Sequence, residues 1–165
     1  MFGKFFKLVV FAALIGAPAV VAAQGTSINL TGGTYDAALP VEVTAERLSV
    51  DQTSSTATFE GNALVAQGDL RLGAEVLRIT YAPDNSGVSS VEAGGNVTFT
   101  NGSESASADT ALYVVGDATI TMTGDVTLVQ GPNTISGDRL VLNLRNGTGA
   151  VEGNVKTVFT PKPQK

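Results

Sequence analysis

Four acidic side chains recur in one register along the chain: Glu46 in "TAERLSV", Glu75 in "LGAEVLRITY", Asp109 in "SASADTALYVV" and Asp138 in "TISGDRLVLNL". A row of carboxylates could bind calcium as a ladder, or serve as acid and base if two of them met at a cleft. Their equivalence from unit to unit argues for a structural, turn or solvent-facing role instead, because catalysis is local. Little else in the chain could do chemistry. With no histidine and no cysteine there is no imidazole base, thiolate or disulfide. The serines fall in turn-like clusters such as "TSSTATF" and "NGSESAS", whereas hydrolysis needs a nucleophile beside its base or paired carboxylates at a cleft. No G-x-x-x-x-G-K-[ST] loop is present to cradle a nucleotide. The chain is therefore expected to be non-enzymatic, with no cofactor and no metal.

The acids belong to a longer repeated phrase. "TFEGNALVAQGDLRLGAEVLRITY" at 58–81, "EAGGNVTFTNGSESASADTALYVV" at 92–115 and "TMTGDVTLVQGPNTISGDRLVLNL" at 121–144 share a Gly-Asn/Asp pair, a second glycine seven residues on, and an acid seven residues after that. A fourth pair stands at Gly153-Asn154. The first glycines are spaced 34, 29 and 29 residues apart and the acids 29, 34 and 29, so one five-residue insertion, at "APDNSG" (82–87), accounts for both outliers. A period near 29 marks units that bury their apolar faces only by stacking.

Between glycines the apolar residues alternate with period two, the pattern of half-buried strands. Leu77, Ile79 and Tyr81 share a face, as do Leu140, Leu142 and Leu144. The same parity places Leu48, Val50, Phe59, Ala63, Val65, Val97, Phe99, Tyr113, Ile120, Met122, Val126, Leu128, Val151 and Val155 inward. No stretch of the mature chain keeps helical spacing for three turns, and threonine, valine and glycine dominate. Gly-Asn pairs suit tight corners, where glycine supplies positive φ, so each phrase reads as a corner followed by a strand. Two rungs per unit over four units at ~4.8 Å give a body roughly 40 Å long.

The N-terminus reads as an export signal: Lys4 and Lys7, an apolar run from Leu8 to Ile15, then small residues ending Val21, Ala22, Ala23. A retained anchor is the alternative, but the apolar stretch is short for a bilayer and broken by Gly16 and Pro18. The expected organisation is a signal peptide at 1–23, an N-terminal segment at 24–39, an all-β repeat domain at 40–160 and a tail at 161–165. Removing the signal moves the net charge from −5 to −7, which argues against nucleic acid, whose binding runs on phosphate neutralisation.

The stretches "PVEVTAERLSVDQTSSTATFEGNALVAQGDLRLGAEVLRITY" (40–81) and "GDVTLVQGPNTISGDRLVLNLRNGTGAVEG" (124–153) resemble the LptA-type proteins with an OstA-like domain. The resemblance covers most of the mature chain and rests on the order and spacing of the landmarks. It implies an open antiparallel β-jellyroll with two facing walls and an apolar slot between them, working in the Gram-negative periplasm. It implies lipopolysaccharide as cargo, its acyl chains shielded on the way from inner to outer membrane. The partners it implies are an LptC-like bitopic inner-membrane protein, the N-terminal domain of an LptD-like outer-membrane translocon subunit, and further copies joined head to tail. The groove candidates are then Phe59, Val65, Leu77, Ile79, Phe99, Tyr113, Ile120, Met122, Leu128, Leu140 and Leu142. Arg47, Arg71, Arg78, Arg139 and Arg145 are candidates for lipid phosphates by charge alone. A secreted structural or adhesive β-solenoid is the main alternative, and a polysaccharide-acting β-helix enzyme a weaker one for want of a clustered acid and base.

Overall fold

The computed structural model describes residues 26–29, 38–84 and 86–161, and every helix or strand element among them is a strand. In chain order these are β1 (Thr26–Asn29), β2 (Glu42–Thr44), β3 (Arg47–Asp51), β4 (Thr56–Gln67), β5 (Leu70–Tyr81), β6 (Val88–Asn101), β7 (Glu104–Val114), β8 (Thr119–Gln130), β9 (Asn133–Asn143), β10 (Thr148–Glu152) and β11 (Lys156–Val158). They form one eleven-stranded sheet in the order β1-β10-β9-β8-β7-β6-β5-β4-β2, with β3 also on β4 and β11 also on β9. Every ladder is antiparallel.

β2 and β3 pair with the two ends of β4, and β10 and β11 with the two ends of β9, so each pair is one strand bent in the middle. The domain is thus a stack of eight bent rungs, with β1 added at one end. Gly-Asn marks the bend within a rung rather than the turn between rungs, which corrects the expectation of a corner starting each strand. At Gly61-Asn62, Gly95-Asn96, Gly124-Asp125 and Gly153-Asn154 both residues have positive φ (81° and 44° in the first pair). Two left-handed residues in succession make a bulge that re-aims the strand, and glycine followed by Asn or Asp tolerates this best. The chain reverses at the second glycines, Gly68, Gly102 and Gly131.

The acids sit inside the bends. In the sheet, Gly61-Asn62 lies opposite Glu75, Gly95-Asn96 opposite Asp109 and Gly124-Asp125 opposite Asp138. Each carboxylate reaches the bulge on the following rung: the Asn62 amide donates to Glu46 Oε1 at 2.8 Å, Asn96 to Glu75 Oε1 at 2.7 Å and Asn154 to Asp138 Oδ2 at 2.8 Å. A Cβ on Gly61 would stand 2.7 Å from Glu46 Oε2, so the carboxylate occupies the space of the missing side chain. At the third bend Asp109 packs over Gly124, and the residue after that glycine is Asp125, a carboxylate where the other bends carry Asn.

Bending brings one face of the sheet onto itself. β8 buries Ile120 and Met122 before its bend and Val126 and Leu128 after it; β5 buries Leu70, Leu72 and Ala74, then Leu77 and Ile79. Residues before the bend of even-numbered long strands, and after it in odd ones, form wall 1 together with β3, β10 and β1. The other halves form wall 2 with β2 and β11.

Four residues expected inside are exposed. Leu48 (55% exposed), Val50 (65%) and Val155 (37%) lie on end rungs, where no further rung covers them, and Tyr81 (39%) lies at the outer lip of wall 1. Leu48 and Val50 do face inward, opposite Phe59 and Ala57. The expected signal peptide, residues 1–23, lies outside the described residues, as do 162–165 of the tail. Within the 24–39 segment, Thr26–Asn29 pairs with β10 at the far end of the stack from β2.

Asp125→Asn installs at the third bend the amide that donates to the acid at the other three. It is expected to raise stability by about 1 kcal/mol and the melting temperature by about 2–5 °C, read by thermal unfolding. A lower melting temperature would contradict the ladder account.

Candidate functional site: an apolar mouth at the first-rung end

The first rung has no neighbour beyond it, so the space between the walls opens there. A cavity of about 270 Å³ lies behind this opening, lined by Val65, Leu70 and Leu72 of wall 2 and by Ile79, Val88, Val91, Tyr113, Val115 and Ile120 of wall 1. Leu39 and Val41 form its rim, 40% and 50% exposed. The Gln67 amide donates to the Leu39 carbonyl at 3.1 Å and fixes the rim to wall 2. Leu48 and Val50 extend the apolar surface outward along β3. A larger hollow of about 530 Å³, lined by Arg78, Glu92, Thr110, Thr121 and Thr123 among others, is shallow and open on the outside of wall 1.

Of the groove candidates, Val65, Ile79, Tyr113 and Ile120 line the mouth cavity. Phe59 is half-buried and packs against the core. Leu77, Phe99, Met122, Leu128, Leu140 and Leu142 lie deeper, at 0–1% exposure. The interior is therefore hollow behind the Leu39–Val41 rim, where the cavity reaches as far as Ile120 on β8, and filled by the protein's own side chains elsewhere. Apolar walls with nothing between them close to interior packing density, which the alternation of residues could not reveal.

Period-two reading also missed a polar row just inside the lip of wall 2. Continuing the inward parity past the apolar runs leads to Gln67, Asn101, Glu104 and Gln130. Asn101 is 6% exposed and Glu104 2%, and Gln130 Nε2 donates to Glu104 Oε1 at 2.8 Å. The opposite lip holds two turn carboxylates. Asp51 is held below the ordinary carboxylate range by hydrogen bonds from the Ser54 side chain and then the Thr53 and Ser54 amides, and Asp84 by Ser86. Both stay charged at neutral pH.

The arginines lie outside the slot. Arg47, Arg78 and Arg139 pair across strands with Glu60, Glu92 and Glu152 at 3.5, 3.7 and 3.3 Å, all on the exposed surface. Such pairs are worth little energetically. Arg71 donates to the Gly68 and Leu70 carbonyls, and Arg145 to the Gly116 carbonyl at 2.9 Å, so both bind turns at the lips.

A family model described as LptA/(LptD N-terminal domain) LPS transport protein matches residues 42–148 of this chain. An uncharacterized protein of Rhizobium meliloti (strain 1021) is 26% identical over 165 residues, covering 93% of this chain and 88% of that protein. Among solved structures, the crystal structure of LptH, the LptA homologous periplasmic component of the conserved lipopolysaccharide transport device from Pseudomonas aeruginosa, is similar at a TM-score of 0.66. It is 19% identical and the match covers 74% of this chain and 96% of that one. At that identity the likeness speaks for the fold: an open antiparallel jellyroll.

The deep and rim positions should separate in a denaturant melt. Leu140→Ala, at 0% exposure, is expected to lose about 2–5 kcal/mol. Val41→Ala at the rim should stay within about 0.5 kcal/mol. Equal losses would mean that the rim is part of the packed core.

Proposed function

The chain belongs to the LptA/LptD N-terminal-domain family of LPS transport proteins, and from that premise we propose that it carries lipopolysaccharide by taking acyl chains between its walls through the first-rung mouth. The observation that carries this reading is the cavity itself, whose apolar lining runs without a break into the inward face of every later rung. A twelve-carbon chain exposed to water costs on the order of 10 kcal/mol at ~0.8 kcal/mol per methylene. A lipid with several such chains crosses an aqueous gap only if a protein covers them.

A cavity of about 270 Å³ lies just below the ~300–1,000 Å³ of ordinary ligand pockets, so it takes the leading part of a chain and no more. Deeper uptake requires the walls to part. Each ladder joins rungs within one wall, and the walls meet only through the bends. Separation therefore breaks apolar contacts without breaking the sheet, and the incoming methylenes replace those contacts one for one. A surface that is apolar at every rung gives a sliding chain no deep trap.

The charged groups play a smaller part. Three of the five arginines are engaged by glutamates and two by lip carbonyls, and the carboxylates Asp51 and Asp84 stand beside the mouth. The lipid phosphates are therefore read as remaining in solvent, with recognition resting on the hydrocarbon. A periplasmic, exported protein fits this role, as do an LptC-like donor, an LptD-like acceptor and head-to-tail copies, since β2 and β3 on the first rung and β11 on the last have no further strand beside them among the described residues.

A photo-crosslinking amino acid placed in the mature protein tests the reading. Val65 and Ile79 at the mouth, then Phe99 and Leu142 deeper in, are expected to label lipopolysaccharide, while the outward Thr98 and Thr127 do not. Labelling confined to the outward positions, or at none, would return the chain to a sealed structural repeat.

A further inference from the structure

The two ends of the stack are halves of one junction. Inside the chain a bulge faces an acid on the next rung three times, from β4 to β5, β6 to β7 and β8 to β9. The last rung carries a bulge, Gly153-Asn154, with no acid on a following rung among the described residues. The first rung carries an acid, Glu46, with no preceding bulge. A second copy set against the last rung supplies the missing half. Its β3 would run antiparallel to β10 and its β2 antiparallel to β11, as at every internal step.

β1 stands in the way on one wall. It pairs with β10 in the register Thr26↔Val151, Ser27↔Ala150, Ile28↔Gly149 and Asn29↔Thr148. Running from the bend toward the lip, it has the same direction as β3. A β3 arriving from a second copy would meet β1 in parallel, one strand spacing further out than β2 meets β11 on the other wall. Both the ladder type and the step between walls would then break the pattern of the whole sheet.

β1 is short. Four backbone positions pair with β10, and Ile28, 4% exposed, is its core anchor. Ile28 sits beside Gly149, where an added Cβ would stand 2.7 Å from Leu142 Cδ2 and 3.7 Å from Ile28 Cβ. Leu142 and Ile28 thus close over the glycine. Such an attachment can be exchanged for a longer strand of the same sheet.

We propose that β1 is an in-cis cap on the last rung, and that a second copy extends the stack there by displacing β1 from β10. This rests on the carrier reading for its purpose, but its test does not depend on lipid. The chain contains no cysteine, so Ser27→Cys with Ala150→Cys can lock β1 in place by a disulfide, and Ile28→Asp can release it. Self-association of the mature protein is followed by analytical ultracentrifugation. Oxidised S27C/A150C is expected to associate about tenfold more weakly, ~1.4 kcal/mol, than the same protein reduced, and Ile28→Asp at least as tightly as wild type. Unchanged or stronger association on locking would overturn the proposal, and so would failure of Ile28→Asp to associate while its circular dichroism stays native. If Ile28→Asp loses its native spectrum, Ser27→Pro, which disrupts the same short ladder from an edge, replaces it under the same criteria. Lipopolysaccharide labelling measured on the same samples shows whether the carrier reading survives either result.

Discussion

A sheet with one continuous apolar face, and no helix among the described residues to cover it, must bury that face against itself. Everything else in this protein follows from that constraint. A flat eight-rung sheet would leave Leu77, Ile120, Met122, Leu140 and Leu142 in water; bent at mid-strand, it brings all of them to zero exposure. The bend needs two left-handed residues on alternate rungs, which is why Gly-Asn recurs, and a carboxylate to fill the space over each glycine, which is why the acids recur seven residues after the hairpin glycines. The row that could have been a cation ladder is the set of clamps that keeps the bends in line.

Much of this was legible in the chain. The period near 29, the inward faces of β5, β8 and β9 and the site of the insertion at 82–87 all follow from sidedness and spacing, because a strand fixes the face of every second residue. What escaped the sequence depended on neighbours. Gly-Asn looks the same at a bend as at a hairpin, so the order of corner and turn was misplaced. Leu48, Val50 and Val155 obey the same alternation as the core, and only their position on end rungs exposes them. β1 has four residues and no repeat to reveal it, and its partner lies more than a hundred residues away.

The candidate site was legible as a face but not as a space. Alternation identified the lining of the mouth through Val65, Ile79, Tyr113 and Ile120, yet it could not say that the remaining length is closed by Phe99, Met122, Leu128 and their neighbours. The same constraint explains both conditions. Apolar walls adhere in the absence of a guest, and because they share no ladder they can separate around one. A sealed repeat protein and a lipid carrier of this construction therefore differ in whether the walls part, not in which residues they present.

The central claim is thus a movement, and a distance measurement reads it most directly. Spin labels on the outer faces of the two walls, at Thr121 and Thr127 on either side of the third bend, would report their separation by pulsed electron resonance with and without lipopolysaccharide. The account predicts a longer distance and a broader distribution when lipid is added, with far-ultraviolet circular dichroism unchanged. An identical distance in a sample that has bound lipid would contradict it, because the hydrocarbon would then be lying somewhere other than between the walls.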